Sequence, residues 1–197
     1  MSQSDNELIK EIIKGNESAM EILVKRHYNM IHSFVYRNVG EDSTSYDLTQ
    51  EIFIKIMKNI TKYDYKNGQF LHWILKIANN HCIDYFRSSV YRQRNENKNI
   101  DDMEISNDES VIDILEKNET RKAVKTAVDN LPVLQKETII LKYYNHLKIK
   151  EISEITGNNE STIKSRLFNG IKNLKKSMGG GKNEEIYRLS DEKEYTN

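Results

Sequence analysis

The sequence contains a single cysteine, Cys82, among 197 residues. One thiol cannot build an internal disulfide framework, and it suits a protein of a reducing compartment. No stretch approaches the roughly 18 consecutive apolar residues that a membrane-spanning helix needs. The first ten residues, MSQSDNELIK, are polar and acidic, which argues against a secretory signal. These absences predict a cytoplasmic protein without membrane insertion of its own.

Proline occurs once and glycine eight times, and apolar residues almost never alternate with polar ones as they do in a half-buried strand. Both observations favour an all-α fold. The five histidines are scattered, and the pair His81–Cys82 lacks partners at the spacing of a zinc site. The three glycines at 179–181 precede a charged tail and not the helix of a phosphate-binding loop. We therefore expect no metal, no cofactor and no enzymatic activity.

The formal net charge is zero, from 30 basic and 30 acidic residues, which argues against a uniformly basic nucleic-acid binder. The charges are nevertheless segregated along the chain. Residues 95–119 contain nine acidic residues and two lysines, whereas residues 160–176 contain five basic residues and one acidic residue. The polar, acidic middle contains too little apolar surface to offset the entropy of ordering. It predicts a flexible linker between two small helical domains.

Capping residues and helical apolar periodicity predict the following organisation. The first domain, 1–92, has helices that begin at Ser4 or Asp5, at Asn16, at Thr44 (a capping box with Asp47) and at Phe70, and that end near Gly15, Val39, Lys62 and Ser89. An acidic linker, 93–109, follows. The second domain, 110–178, has helices from Ser110 to Asn130 and from Pro132 to about Tyr144, and then a helical pair. The tail, 179–197, is expected to be mobile.

The helical pair lies between Leu147 and Lys176, with Gly157 at the turn and Asn158 or Asn159 as the cap of the second helix. One side of that second helix carries Ile163, Leu167, Gly170, Ile171 and Leu174. The other side carries short polar residues and Phe168, with Arg166 at the border. This pattern predicts a helix-turn-helix that reads the DNA major groove, and a packed αα-hairpin with a solvated face is the alternative.

Two helices of the first domain carry a second face opposite their apolar stripe. In the helix from Thr44 this face holds Ile54 among polar residues, which suggests a protein-binding surface, although a single exposed isoleucine is common. The core stripe of the same helix is predicted to include Met57. In the helix from Phe70 the second face carries His72, Lys76, Asn79, Asn80 and Arg87, which supply amides and cations for melted nucleic acid. The loop with Tyr63, Tyr65, Lys66 and Asn67 contains groups that can hold a flipped base.

Three ordered segments resemble the sigma-70 family of RNA polymerase sigma subunits, and their compact arrangement resembles the extracytoplasmic-function (ECF) group. DLTQEIFIKIMKNI resembles the segment that grips the β′ clamp of the polymerase. FLHWILKIANNHCIDYFR resembles the segment that melts and reads the minus-ten element. The stretch from Leu131 to Lys175 resembles the domain that reads the minus-thirty-five element.

The resemblance implies roles for individual residues. Contacts to the polymerase clamp would come from Asp47, Gln50, Glu51 and Ile54. Contacts to the downstream element would come from Asn67, Lys76, Asn80 and Arg87. Contacts to the upstream element would come from Thr162, Lys164, Ser165, Arg166 and Phe168. The implied partners are core RNA polymerase (β′ clamp and β), promoter DNA and an anti-sigma factor.

Two other functions stay open on the sequence. A helix-turn-helix regulator would bind duplex DNA without polymerase, and an adaptor would bind no DNA at all. Promoter-dependent transcription with core polymerase distinguishes a sigma factor from the regulator. Substitution of Lys164 and Arg166 distinguishes both DNA-binding classes from the adaptor.

Overall fold

A computed structural model of the protein describes residues 3–64, 68–88 and 122–178, and within these ranges the regular structure is helical, with no strand. The all-α prediction is thus confirmed. The elements in chain order are α1 (Asp5–Ile13), α2 (Glu17–Val39), α3 (Asp42–Asn59), a 3-10 turn (Ile60–Lys62), α4 (Phe70–Arg87), α5 (122–129), α6 (Val133–Ile139), a π-helical turn (Ile140–Tyr144), α7 (Ile149–Thr156) and α8 (Glu160–Ser177). The predicted linker, the tail and the predicted helix start at Ser110 lie outside the described residues.

Helix starts follow the capping residues at three positions. Ser4 forms a capping box with Glu7 at the start of α1, and Asn16 accepts a hydrogen bond from the Ala19 amide at the start of α2. Asn159 caps α8 by accepting from the Thr162 amide at 2.8 Å. Each cap satisfies a backbone donor that the first turn of a helix leaves free. These three predicted starts are confirmed.

The predicted N-cap of α3, Thr44, is wrong by three residues. The Thr44 hydroxyl donates to the Glu41 carboxylate at 2.8 Å, and α3 begins at Asp42 with Glu41 at the N-cap position. The helix ends at Asn59 and tightens into the 3-10 turn that reaches Lys62. Met57, predicted to be a core residue, is 38% exposed. Because Ile56 and Ile60 already fill the buried side of this turn, Met57 is left on the surface.

The N-terminal lobe, residues 3–88, contains α1 to α4. The long helix α2 packs against α1, α3 and α4, so it is the centre of the lobe. The core of the N-terminal lobe is built from apolar residues of all four helices. The fully buried members include Leu8, Ile31, Phe34, Ile52, Ile56, Ile74 and Leu75.

The C-terminal lobe, residues 122–178, contains α5 to α8. Gly157 joins α7 to α8 with φ of +69°, a left-handed conformation that favours glycine. Gly170 lets α8 approach α6 closely, because a Cβ atom at this position would lie 3.2 Å from Cγ1 of Ile139. The helix-turn-helix pair is thereby held on a core that includes Ile139, Ile155 and Leu167.

The two lobes contact each other along one side of the N-terminal lobe. Helix α4 packs against α6 and α7, and α2 packs against α6 and the π-helical turn. This packing places the face of α4 next to the helix-turn-helix. Every helix in the described parts of the chain is too short or too polar to cross a membrane.

Candidate polymerase and nucleic-acid surfaces

Helix α3 presents one continuous exposed stripe. Asp47, Gln50, Glu51 and Ile54 follow the spacing of one helix face, and all four are exposed. Ile54 is 44% exposed, and Met57 extends the apolar end of the stripe by one turn. An apolar patch beside carboxylate and amide groups is the composition of a protein-binding surface. The structure thus brings together all four residues of the predicted polymerase contact.

A histidine from α4 holds one member of this stripe. His81 Nε2 lies 2.8 Å from the Glu51 carboxylate, and its Nδ1 lies 2.6 Å from Lys55 Nζ. Since an ammonium group can only donate, Nδ1 accepts from Lys55 and the Nε2 proton is donated to Glu51. His81 is itself buried. The chain from Lys55 through His81 to Glu51 therefore limits the freedom of an exposed carboxylate.

Helix α4 places Lys76, Asn80 and Arg87 on one exposed stripe. His72 and Asn79, which the sequence groups with the same face, lie beside this stripe and are covered by the C-terminal lobe. The Asn79 amide donates to the Glu137 carboxylate of α6 at 2.6 Å, and His72 Nε2 lies 3.7 Å from Oε1 of Glu151 in α7.

The loop before α4 is anchored by Tyr63, whose ring is buried. Its hydroxyl donates to the Gly68 carbonyl at 3.0 Å, and its ring lies edge-on to Phe70 and tilted against Trp73. Burial raises the pKa of the Tyr63 phenol. This placement contradicts a base-stacking role for Tyr63, which instead fixes the two ends of the loop. Asn67 lies outside the described residues, so its predicted contact to a flipped base stays a prediction.

Helix α8 turns its polar face away from the core. Ser165 and Phe168 are exposed, Thr162 and Lys164 are half-buried, and Ile163, Leu167, Gly170, Ile171 and Leu174 are buried as predicted. Phe168 is 67% exposed, although phenylalanine is usually a core residue. An aromatic ring held in solvent beside hydroxyl and ammonium groups can contact thymine methyl groups in a major groove.

Arg166 occupies a different position from its neighbours on α8. Its side chain is only 18% exposed, and its Nη2 donates to the Asn158 side chain at 3.3 Å. Its Nη1 lies 3.9 Å from Oε2 of Glu137, a residue whose side chain is 3% exposed. Burial raises the pKa of the Glu137 carboxyl, whereas the Asn79 hydrogen bond and the charges of Arg166 and Arg87 oppose that rise. A DNA contact by Arg166 stays a prediction, and it requires the guanidinium to turn outward.

The roles of three residues, Met57, His81 and Glu137, do not follow from the sequence pattern. Met57 falls at the edge of the apolar stripe, which predicts a core position for it. His81 and Glu137 act through partners 30 and 58 positions away. The one local signal at Glu137 is its position directly before the apolar run TIIL, where a charged side chain has little access to solvent.

Metal chemistry has no candidate ligand set in the described ranges, since no three histidine, cysteine or acidic side chains converge there. Cys82 is buried, and burial raises the pKa of its thiol to about 12. A thiol in this state is a poor nucleophile and a poor metal ligand.

Comparison with family models gives two matches in the order that the sequence predicts. The sigma-70 region 2 model matches residues 23–90, and the sigma-70 region 4 model matches residues 121–174. The first match contains α3 and α4, and the second contains α6 and α7 and most of α8. The candidate polymerase-binding stripe of α3 and the candidate DNA-binding faces of α4 and α8 thus lie within the matched segments.

Curated relatives belong to the same group. The chain is 28% identical over 171 residues to the ECF RNA polymerase sigma factor BldN of Streptomyces coelicolor, covering 85% of this chain and 63% of that protein. It is 28% identical to the sigma factor SigK of a Mycobacterium species, covering 87% of this chain and 89% of the relative. It is 27% identical to SigW of Bacillus subtilis, covering 86% and 94%.

Solved structures share the fold. The sigma factor RpoE of Bartonella quintana, solved with the anti-sigma factor NepR, gives a TM-score of 0.65 at 18% identity and covers 82% of this chain and 98% of that one. CnrH, solved with the cytosolic domain of CnrY, gives 0.62 at 18% identity and covers 91% and 100%. Since the two sigma-70 models together match more than half of the chain and the curated relatives are ECF sigma factors, the chain belongs to the ECF group of the sigma-70 family of RNA polymerase sigma factors.

Proposed function

We propose that this chain is a polymerase subunit that binds core RNA polymerase and directs it to one class of promoter. The observation that carries the proposal is the exposed stripe of α3, where Ile54 and Met57 adjoin Asp47, Gln50 and Glu51. A helix-turn-helix regulator that acts alone has no need for such a surface on a second lobe. The partner of the stripe would be the β′ clamp, with β contacted elsewhere.

The two lobes would divide promoter recognition between them. Ser165 and Phe168, with Thr162 and Lys164 beside them, have the exposure and chemistry to contact base edges and phosphates of an upstream element. Lys76, Asn80 and Arg87 would contact the downstream element, and Asn67 would hold a flipped base there. Arg166 would contribute a phosphate contact after leaving Glu137.

The proposal also specifies the cellular setting of the protein. The chain would act in the cytoplasm, where core polymerase and promoter DNA are, and it would have no catalytic activity of its own. One structural neighbour was solved with the anti-sigma factor NepR, and a second with the cytosolic domain of CnrY. We therefore expect this chain to have an anti-sigma partner as well.

Run-off transcription with purified core polymerase tests the proposal. Templates that carry upstream regions from the source genome should give a defined transcript only when the chain is added. The absence of a transcript on all templates would contradict the sigma-factor function. Binding of the chain alone to a specific duplex, unchanged by polymerase, would instead favour the regulator.

A matched pair of variants tests the α3 stripe. Ile54→Ala should lower affinity for core polymerase by about fivefold, since burial of an isoleucine side chain at an interface is worth about 1 kcal/mol or more. Ile22 is 45% exposed, against 44% for Ile54, and belongs to α2, not to the stripe of α3. Ile22→Ala should therefore leave the affinity unchanged. Equal losses in both variants would show that the stripe has no special role.

A further inference from the structure

The first turn of α1 makes contacts that the proposed function does not use. Leu8 and Ile9 attach α1 to the core of the N-terminal lobe, and both side chains are buried. Asp5 and Asn6, three residues earlier, instead contact residues next to the loop before α4. Asn6 is exposed, so its side chain is not part of the core. Core packing therefore accounts for Leu8 and Ile9 but not for Asp5 and Asn6.

Asn6 contacts the residue at which the loop begins. The Tyr63 hydroxyl donates to the Gly68 carbonyl at 3.0 Å and also lies 3.3 Å from Oδ1 of Asn6. Burial and then the negative charge of Asp5 raise the pKa of the Tyr63 phenol, so the hydroxyl keeps its proton at neutral pH. One hydroxyl group thus joins α1 to both sides of the loop.

Asp5 contacts the far side of the loop through His27. The Asp5 carboxylate lies 2.9 Å from His27 Nε2, and the His27 ring is edge-on to Phe70 with 5.4 Å between the ring centres. Phe70 is the first residue of α4 and is buried. The Arg26 guanidinium binds the same carboxylate at 2.6 Å and the Gln3 carbonyl at 2.7 Å, which fixes the position of Asp5. Two neighbouring residues of α1 are thus connected to both ends of the loop.

Fixed ends are an advantage for a loop that binds nucleic acid. A loop loses backbone freedom when a bound strand orders it, and this loss opposes binding. Anchored ends remove part of that freedom before the strand arrives, so less is lost in the complex and the affinity is higher. The same contacts fix the start of α4, and with it the direction of the exposed stripe of Lys76, Asn80 and Arg87.

We propose that Asn6 and Asp5 are positioning residues for recognition of the downstream element, because they hold both ends of the loop before α4 through Tyr63 and through His27 and Phe70. The ligand, the single-stranded downstream element, rests on the proposed function, whereas the anchoring is a property of the chain alone. Neither Asn6 nor Asp5 would touch DNA. Helix α1 would thus contribute to promoter opening from outside the candidate DNA surfaces.

Hydrogen exchange on the full chain, without polymerase or DNA, tests the anchoring. Asn6→Ala removes the contact to Tyr63, so amides in peptides that span residues 60–72 should exchange about threefold to tenfold faster. Amides of α3 should keep their rates. Asn29→Ala changes another exposed asparagine, in the middle of α2, and it should leave all rates unchanged. Equal exchange in Asn6→Ala and the wild type would overturn the proposal.

Binding of single-stranded DNA by the chain in complex with core polymerase tests the recognition. The probe is a fluorescent non-template oligonucleotide with the downstream element of a promoter found by run-off transcription. Asn6→Ala should weaken binding of this probe by about threefold to tenfold, the loss that corresponds to one hydrogen bond. The affinity for core polymerase, the binding of an upstream-element duplex and the melting temperature should all stay at wild-type values. A purely structural role of Asn6 would lower all four quantities together.

A double-mutant cycle tests whether Asn6 acts through Tyr63. Tyr63→Phe keeps the buried ring and removes the hydroxyl, so it should weaken binding of the probe at least as much as Asn6→Ala does. Asn6→Ala added to Tyr63→Phe should then have no further effect. Additive losses would show that Asn6 acts by another route and would contradict the proposal.

The Asp5 contact has a variant of its own. His27→Phe keeps a ring beside Phe70 but removes the bond to Asp5, and it should accelerate exchange in the same peptides. His27 is preferred to Asp5 as the site of substitution, because Asp5 also pairs with Arg26 and lies in the first turn of α1, where a carboxylate stabilises the helix. Unchanged exchange in His27→Phe would contradict the role of Asp5.

The outcomes separate the anchoring from the proposed function. Faster exchange in Asn6→Ala, without any binding of the probe by the wild-type complex, would leave the anchoring intact and contradict the proposed function. Faster exchange with unchanged binding of the probe would overturn the positioning role. Weaker binding without faster exchange would overturn it as well, because the effect would then not come from the ends of the loop.

Discussion

Three buried polar side chains in this protein are satisfied by partners on another element or across a loop. His81 joins Lys55 to Glu51, Asn79 reaches Glu137, and Tyr63 binds the Gly68 carbonyl across the loop. A buried polar group without a partner costs about 1–3 kcal/mol, so each of these bonds restricts where its element can lie. The residues that fix the geometry of the candidate surfaces are thus buried beneath those surfaces.

His81 should act as a positioning residue for the α3 stripe. His81→Phe keeps a ring at the site but removes both hydrogen bonds, so Glu51 becomes free to rotate. We expect affinity for core polymerase to fall by about fivefold, or about 1 kcal/mol. His81→Gln can still donate to Glu51 and accept from Lys55, and it should recover most of the affinity. Equal affinities of the two variants would contradict this role, provided that both melt near the wild-type temperature.

Glu137 should make stability depend on pH. Burial raises the pKa of its carboxyl above the usual range for glutamate, despite the opposing charges of Arg166 and Arg87 and the Asn79 hydrogen bond. As pH rises, the unfolded chain therefore loses this proton before the folded chain does. The stabilisation is complete below the pKa of the unfolded state and is lost as pH rises through the pKa of the folded state.

Glu137→Gln removes that titration and checks the sign. The variant should gain stability relative to the wild type as pH rises from about 4 to about 7, measured as the free energy of unfolding in urea at each pH. The acidic end of the pH range is the control, because Glu137 of the wild type is protonated there in both the folded and the unfolded state. If the stability of the variant relative to the wild type instead decreases with rising pH, the charges of Arg166 and Arg87 outweigh the effect of burial on the pKa of Glu137.

At the scale of elements, the contact between α6 and α8 decides how the DNA-reading helix is presented. Gly170 lies at the middle of α8, where glycine is intrinsically unfavourable by about 1 kcal/mol relative to alanine. Glycine is needed at this position because Ile139 lies close to it, is fully buried and has little room to move.

Gly170→Ala should therefore destabilise the protein in spite of the better helix propensity. The new Cβ would lie 3.2 Å from Cγ1 and 3.4 Å from Cδ1 of Ile139. Overpacking of this kind costs about 1–3 kcal/mol, so we expect a net loss of about 1 kcal/mol in chemical denaturation. Asn169→Ala, at the adjacent exposed position, should be neutral or slightly stabilising. A stabilising Gly170→Ala would show that α6 yields easily.

At the scale of the whole molecule, the interface between the lobes couples two helical units through a shared core. The buried apolar residues of both units form one continuous cluster, and the Asn79–Glu137 bond lies at the junction. Helix α4 belongs to the N-terminal lobe, and α6 and α7 belong to the C-terminal lobe. All three helices nevertheless contribute to the interface between the lobes.

This coupling should be visible in thermal unfolding. The wild type should unfold in a single calorimetric transition, because opening the interface exposes Glu137 and apolar surface from both lobes. Asn79→Asp should separate this into two transitions, one for each lobe. Two transitions already present in the wild type would show that the interface does not couple the lobes.

Much of the fold was accessible from the sequence because its signals are local. Ser4, Asn16 and Asn159 cap helices through residues three positions away, and the buried stripe of α8 repeats with the helical period. The exposed face of α3 follows from the same period. Errors arose where a nearby residue competed, as when the Glu41 carboxylate took the hydroxyl of Thr44.

The sequence by itself determined the all-α class, the limits of most helices, the two candidate surfaces and the family, since each depends on neighbours within a few turns or on ordered motifs. Only the tertiary structure decided that Asn79 and Arg166 meet at Glu137, that His81 holds Glu51, and that Tyr63 is buried. These contacts join residues of different elements, and helical periodicity specifies which face a residue occupies but not which other helix packs against that face.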